Sequence, residues 1–154
     1  MLPQDVHGVG DPAVAEALRA YVKLFRATRA VLGRLEPLLA GRGLTSTQLG
    51  VLEAVLHLGP LTQRELGRKV LTSAGNMTDV IDKLQAKGLV ARCRQEADRR
   101  SVRIELTEAG LALIREVFPL HARDIATAMG GLTREETRVL DRLLRKLGTG
   151  AAET

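Results

Sequence analysis

A chain of 154 residues has room for one domain, or for two small lobes that share a core. Its apolar content of 45% is ordinary for a globular protein, but aromatics are only 2% and Trp is absent, which argues against a single-strand nucleic-acid platform built on base stacking. The net charge of +5 points to a polyanionic partner, a lone cysteine excludes an internal disulfide and fits a reducing compartment, and no apolar run is long enough to span a membrane.

Residues 1–11 are expected to form a loose arm. They carry no apolar stretch of the signal-peptide kind, so a cytoplasmic location is expected. Asp11-Pro12 is a helix start, because Asp caps and Pro fits the first turn. From there Val14, Leu18, Tyr21, Phe25, Thr28, Leu32, Leu35 and Leu39 recur in steps of four and three, the seam of a helix packed along a partner. So long a helix on so short a chain predicts a dimer; the alternative is a helix wrapped over its own core. Pro37 is placed to kink its last turns.

Leu44 to Thr47 opens a second helix, expected over Thr47 to Leu58 and stopped by Gly59-Pro60. Thr62-Gln63-Arg64-Glu65 is a capping box that starts a short helix to Val70. Thr72 or Ser73 caps the next helix, which ends at Lys87 with Gly88 as a left-handed cap. Leu89 to Arg94 and Ser101 to Leu106 have strand patterns, with Gln95 to Arg100 as the tip between them. Thr107 opens a further helix that Pro119 is expected to bend or locally break. Thr133 to Glu136 is another capping box, and Leu140, Leu143, Leu144 and Leu147 are expected to face inward on the last helix. A frayed tail is expected over 148–154.

The stretch Thr62–Leu106 holds ten Lys and Arg against six Asp and Glu, a net of +4, so nearly all the excess positive charge sits there. Within it Ala74, Met77, Val80, Ile81 and Leu84 form a burying stripe, while Ser73, Gly75, Asn76, Thr78, Asp79 and Lys83 lie on the other face. Small polar residues at a helix start suit phosphate approach and base-edge contact; taken alone, the helix is better read as having a solvated face. A short helix before this one gives helix-turn-helix spacing. At the tip, Asp98 beside Arg99 and Arg100 suits an Arg held extended by a charge-assisted bond, a shape that fits a narrow minor groove.

This order of elements resembles the MarR family of winged-helix transcriptional regulators. The likeness rests on Asp98, Arg100, Leu106 and Thr107, on the runs Asp82-Lys83-Leu84 and Lys87-Gly88-Leu89-Val90, and on the Leu-Thr-x-x-Gly pattern at Leu106 to Gly110. It implies a mainly α fold with a small β-wing. A winged helix-turn-helix at 44–107 would sit beside a dimerisation lobe formed by 12–43 and 108–147, the whole making one domain over 12–147. It implies a homodimer that reads double-stranded DNA on a pseudo-palindromic operator and represses until a ligand releases it. Ser73, Asn76, Thr78 and Asp79 would enter the major groove, Lys83 would join the DNA-binding face, and Arg100, oriented by Asp98, would enter the minor groove. Arg94 and Arg99 would meet phosphate or the groove edge, and Thr62 and Gln63 phosphate. Asp79 departs from the family, which often carries a basic or neutral residue there. A winged-helix module that binds only protein is the competing reading.

The resemblance also implies a small aromatic or phenolic effector, for which Tyr21, Phe25, His57 and His121 are the candidates; ordinary core packing explains the same residues. Cys93 lies between Arg92 and Arg94, a setting that lowers a thiol pKa, yet a plain strand residue is the simpler expectation. His7, His57 and His121 stand too far apart for zinc spacing, and neither a cofactor motif nor an enzyme constellation is present.

Overall fold

The computed structural model describes residues 10–70, 74–95 and 98–152; for 74, 75, 95, 98–100, 151 and 152 it is the backbone that is described. The elements are α1 (Pro12–Gly41), α2 (Ser46–Leu58), β1 (Leu61–Thr62), α3 (Gln63–Lys69), α4 (Ala74–Ala86), β2 (Val90–Gln95), β3 (Asp98–Leu106), α5 (Glu108–Ala128) and α6 (Arg134–Ala152). This is the expected mainly α fold with a small wing. Residues 1–9 of the expected arm and the cap at Thr72 or Ser73 lie outside the described residues.

Local chemistry sets the helix boundaries. Asp11 accepts from the Ala13 amide at 2.8 Å and Pro12 follows it. Thr45 caps α2 in a box with Gln48, two residues ahead of the expected start. Gln48 is the N3 partner of that box, a role its sequence spacing carried. Gly88, with φ of 70°, takes the left-handed position after α4. Pro119 lies inside α5, which continues across it, so of the expected bend or local break the break does not occur. α6 runs through Gly148 and Gly150 to Ala152, so the expected tail is helix to that point. Glycine disfavours a helix by only about 1 kcal/mol, too little to end one already propagating.

The core gathers around α2. Leu49, Leu52 and Val55 pack with Leu39 from α1, Leu66 from α3, Met77, Ile81 and Leu84 from α4, and Ile114 and Val117 from α5. Each such side chain contributes about 1.5–3 kcal/mol on burial. The sheet has the order β1-β3-β2, all antiparallel. The two-residue β1 was not expected; it pairs Leu61 with Ile104 while Thr62 is already capping α3. The wing is longer than expected, because Asp98 to Arg100 belong to β3 rather than to the tip, with a register irregularity at Arg94/Gln95.

Outside this core the long helices are bare. The first buried residue of α1 is Leu35, and Val14, Leu18, Tyr21, Phe25 and Leu32 are exposed. On α6, Leu143, Leu144 and Leu147 are also exposed, so the expected inward packing of that stripe is not met within one chain. The period reports an apolar face; it does not say which chain covers it. Between α1 and α6 lies an apolar cavity of about 510 Å³ lined by Leu24, Val31, Leu32, Met129, Leu140 and Leu144. No helix among the described residues is long and apolar enough to cross a membrane.

Candidate nucleic-acid interface

The α3–α4 pair is fixed at both ends. Thr62 caps α3: its amide donates to Glu65 Oε2 at 2.7 Å, its hydroxyl donates to the same oxygen at 2.9 Å, and the Glu65 amide donates back at 3.2 Å. These bonds hold the Glu65 carboxyl below its ordinary value of 4.5, the Thr62 backbone amide contributing most. Thr62→Ala is therefore expected to lower stability by about 1 kcal/mol, seen as a lower denaturant midpoint at unchanged m. The pH effect has a definite sign. A depressed folded-state pKa stabilises above the unfolded value, and the gain is lost as pH falls below about 4.5. The stability gap between wild type and Glu65→Gln should therefore narrow on acidification; a gap that widens contradicts the assignment.

α4 buries Met77, Val80, Ile81 and Leu84 and exposes Asn76, Thr78, Asp79 and Lys83. The Gln63 side-chain amide donates to the Thr78 hydroxyl, tying the start of α3 to α4. Asp79 accepts from Lys83 Nζ at 2.7 Å, one helical turn on. From the wing, Arg92 donates to Asp82 Oδ1 and to Gln85 Oε1, both at 2.6 Å. The far end of α4 is held too: Lys87 Nζ donates to the Gly43 carbonyl and, at 3.1 Å, to Gln48 Oε1. Arg103 donates from Nη1 to the Pro60 carbonyl at 2.9 Å, locking β3 onto the turn before α3.

Sequence reasoning missed Arg92 and Arg103 as organisers. Both bridges link residues distant along the chain, and no local spacing announces them. Arg94 is exposed on β2 and forms no ion pair among the described residues. Asp98, Arg99 and Arg100 lie in β3, but their side chains are outside the described residues, as is Ser73 altogether.

The effector candidates divide. Tyr21 and Phe25 stack on exposed α1 with ring centroids 6.4 Å apart. His57 meets the edge of Phe118 at 5.5 Å and lines a cavity of about 520 Å³ with Ser46, Glu53 and Lys69. His121 is buried on α5, and its Nδ1 has no hydrogen-bond partner among the described residues. Cys93 is not activated by its Arg neighbours. A hydrogen bond with Glu105 pushes its thiol pKa up, with partial burial adding to the shift.

Comparison with known proteins agrees with this architecture. The MarR family profile matches residues 42–101, from the end of α1 into the wing. The HTH-type transcriptional regulator MhqR of Bacillus subtilis is 31% identical over 138 residues, covering 90% of this chain and 95% of that protein. BpsR of Bordetella bronchiseptica, solved in a study of how 6-hydroxynicotinic acid regulates its DNA binding, superposes with a TM-score of 0.78 at 28% identity. That match covers 84% of this chain and 98% of BpsR. A cysteine-to-serine mutant of Escherichia coli MarR, complexed with operator DNA, also gives a TM-score of 0.78, at 26% identity over 86% of this chain and 95% of that one.

Proposed function

The chain belongs to the MarR family, a DNA-binding transcriptional regulator rather than an enzyme, and on that premise we propose that it is a homodimeric, ligand-responsive repressor of a pseudo-palindromic operator. The observation that carries this reading is α4. One of its faces is buried, its polar face is exposed, and it is braced by Gln63, Arg92 and Lys87, so it is pre-organised for insertion into a major groove. Ser73, Asn76, Thr78, Asp79 and Lys83 would line the groove. Arg94, Arg99 and Arg100, with Asp98, would carry the wing onto phosphate and minor groove, and Gln63 and the α3 start would meet phosphate.

Two chains joined along the bare faces of α1 and α6 would set two recognition helices one helical turn of DNA apart. A dimer seated on its operator blocks access to that DNA, which is repression. A small aromatic or phenolic effector fits the cavity lined by His57, whose ring meets the edge of Phe118, and the 6-hydroxynicotinic acid named for BpsR is of that kind. It would release DNA by favouring a dimer whose spacing no longer matches the operator.

The test begins with duplexes selected from a random pool. Arg100→Ala should weaken binding of the selected duplex by about 1–3 kcal/mol with dimer and fold intact. A chain that stays folded and dimeric but binds no duplex at low salt would instead be a protein-docking module, and the proposal would fail.

A further inference from the structure

The exposed surface of α4 is divided by its own pairings. Thr78, Asp82 and Gln85 share a flank at i, i+4, i+7, and each is bonded to another element, through Gln63 or Arg92. Asn76, Asp79 and Lys83 share a second flank at i, i+3, i+7. There Asp79 Oδ2 and Lys83 Nζ lie 2.7 Å apart, with both side chains more than half exposed at 56% and 61%. Resting on the DNA-binding reading above, we propose that Asp79 and Lys83 act as one unit that reads a C·G base pair in the major groove.

The complementarity is geometric and electrostatic. In the major groove a C·G pair presents the cytosine N4 amino donor next to the guanine O6 acceptor, about 2.9 Å away across their own hydrogen bond. The Asp79–Lys83 pair carries the opposite polarity at nearly the same separation. The carboxylate accepts from N4, and the ammonium donates to O6 with N7 beyond it. An A·T pair in the same orientation, with adenine in place of cytosine, also sets a donor beside an acceptor, at adenine N6 and thymine O4. It is rejected at both ends: adenine N7 turns an acceptor toward the carboxylate, and the thymine methyl stands where Lys83 would find its second acceptor. The pairing also removes the objection to an acid in a polyanionic groove, because Lys83 neutralises Asp79 before DNA arrives.

Random-pool selection, run in parallel on the wild type, Asp79→Ala, Asp79→Asn and Lys83→Ala, tests the assignment. Circular dichroism and sedimentation serve as checks of fold and assembly. The wild type should select half-sites with an invariant C·G pair. Asp79→Ala should lose preference at that position alone, by roughly tenfold or more, while Asp79→Asn should move it toward A, which an Asn side chain bonds at N6 and N7. Lys83→Ala should lower affinity and weaken the same preference. If Asp79→Ala changes affinity equally for all sequences and the selected motif is unchanged, Asp79 only restrains Lys83 and the assignment is overturned. If the folded wild type selects no duplex, the DNA-binding reading fails as well, so the two failures are distinct.

Discussion

Leu143→Glu is expected to convert the protein to a monomer and to lower its affinity for a selected operator at least a hundredfold. Leu143 is 54% exposed on a single chain, Leu144 and Leu147 of the same helix are exposed with it, and so are Leu18, Tyr21 and Phe25 of α1. A soluble protein rarely leaves so continuous an apolar face uncovered. The apolar cavity between α1 and α6, lined by Leu24, Val31, Leu32, Leu140 and Leu144, adds to that uncovered surface. The substitution removes about 2 kcal/mol of burial and sets a carboxylate against apolar surface. In a two-fold dimer it acts twice, so the association constant should fall by roughly a thousandfold or more. Sedimentation velocity gives the assembly state, and circular dichroism should show that the winged lobe is intact, because Leu143 is no part of its core. Leu18→Glu should act alike. A variant that remains dimeric would show that the chains meet elsewhere.

Gly110→Ala is expected to be the most damaging Gly→Ala change among the described glycines. A Cβ at Gly110 would lie 1.9 Å from the Leu89 carbonyl oxygen and 2.9 Å from its carbon. That carbonyl cannot step aside freely, because it accepts from the Thr107 amide at 3.1 Å while the Thr107 hydroxyl donates to the Gly88 carbonyl at 2.6 Å and accepts from the Gly110 amide at 3.0 Å. Here the end of α4, the first wing strand and the start of α5 meet backbone to backbone. Relief requires moving the wing root or the α5 cap. The expected loss is about 3 kcal/mol, at the upper end for overpacking, or a Tm lowered by about 6–12 °C at fixed protein concentration. Gly67→Ala is the control, since nothing lies within 4 Å of a Cβ there, and helix propensity makes it neutral or stabilising. If Gly110→Ala melts with the wild type, the wing root is looser than these contacts imply.

Much of this architecture was legible in the sequence because its boundaries are set by short-range chemistry. Asp11, Thr62, Thr107 and Thr133 cap helices that start within a residue of them, and Gly88 marks the end of α4. The failures share a cause. β1 is two residues long and overlaps a helix cap, so its partner, Ile104, is what defines it. The charged run Gln95 to Arg100 reads as a six-residue loop, yet pairing carries the β3 backbone out to Asp98. The α6 helix passes two glycines because propagation tolerates them. In the candidate interface, the Asp79–Lys83 pair was available from i, i+4 spacing. The reach of Arg92 to Asp82 and Gln85, and of Lys87 to Gln48, depends on tertiary placement and was not. The resemblance motif Lys87-Gly88-Leu89-Val90 also gains a physical meaning. Lys87 ties α4 to the α1–α2 turn, Gly88 turns the chain, and the Leu89 carbonyl receives Thr107.

The salt dependence of binding to a selected palindromic duplex, with the stoichiometry measured in the same titration, tests the central claim most directly. Two chains should bind each duplex. With about three basic side chains of each subunit on phosphate, the slope of log Kobs against log salt should be about −5. A folded dimer that binds no duplex at low salt, or binding that ignores salt, would contradict it.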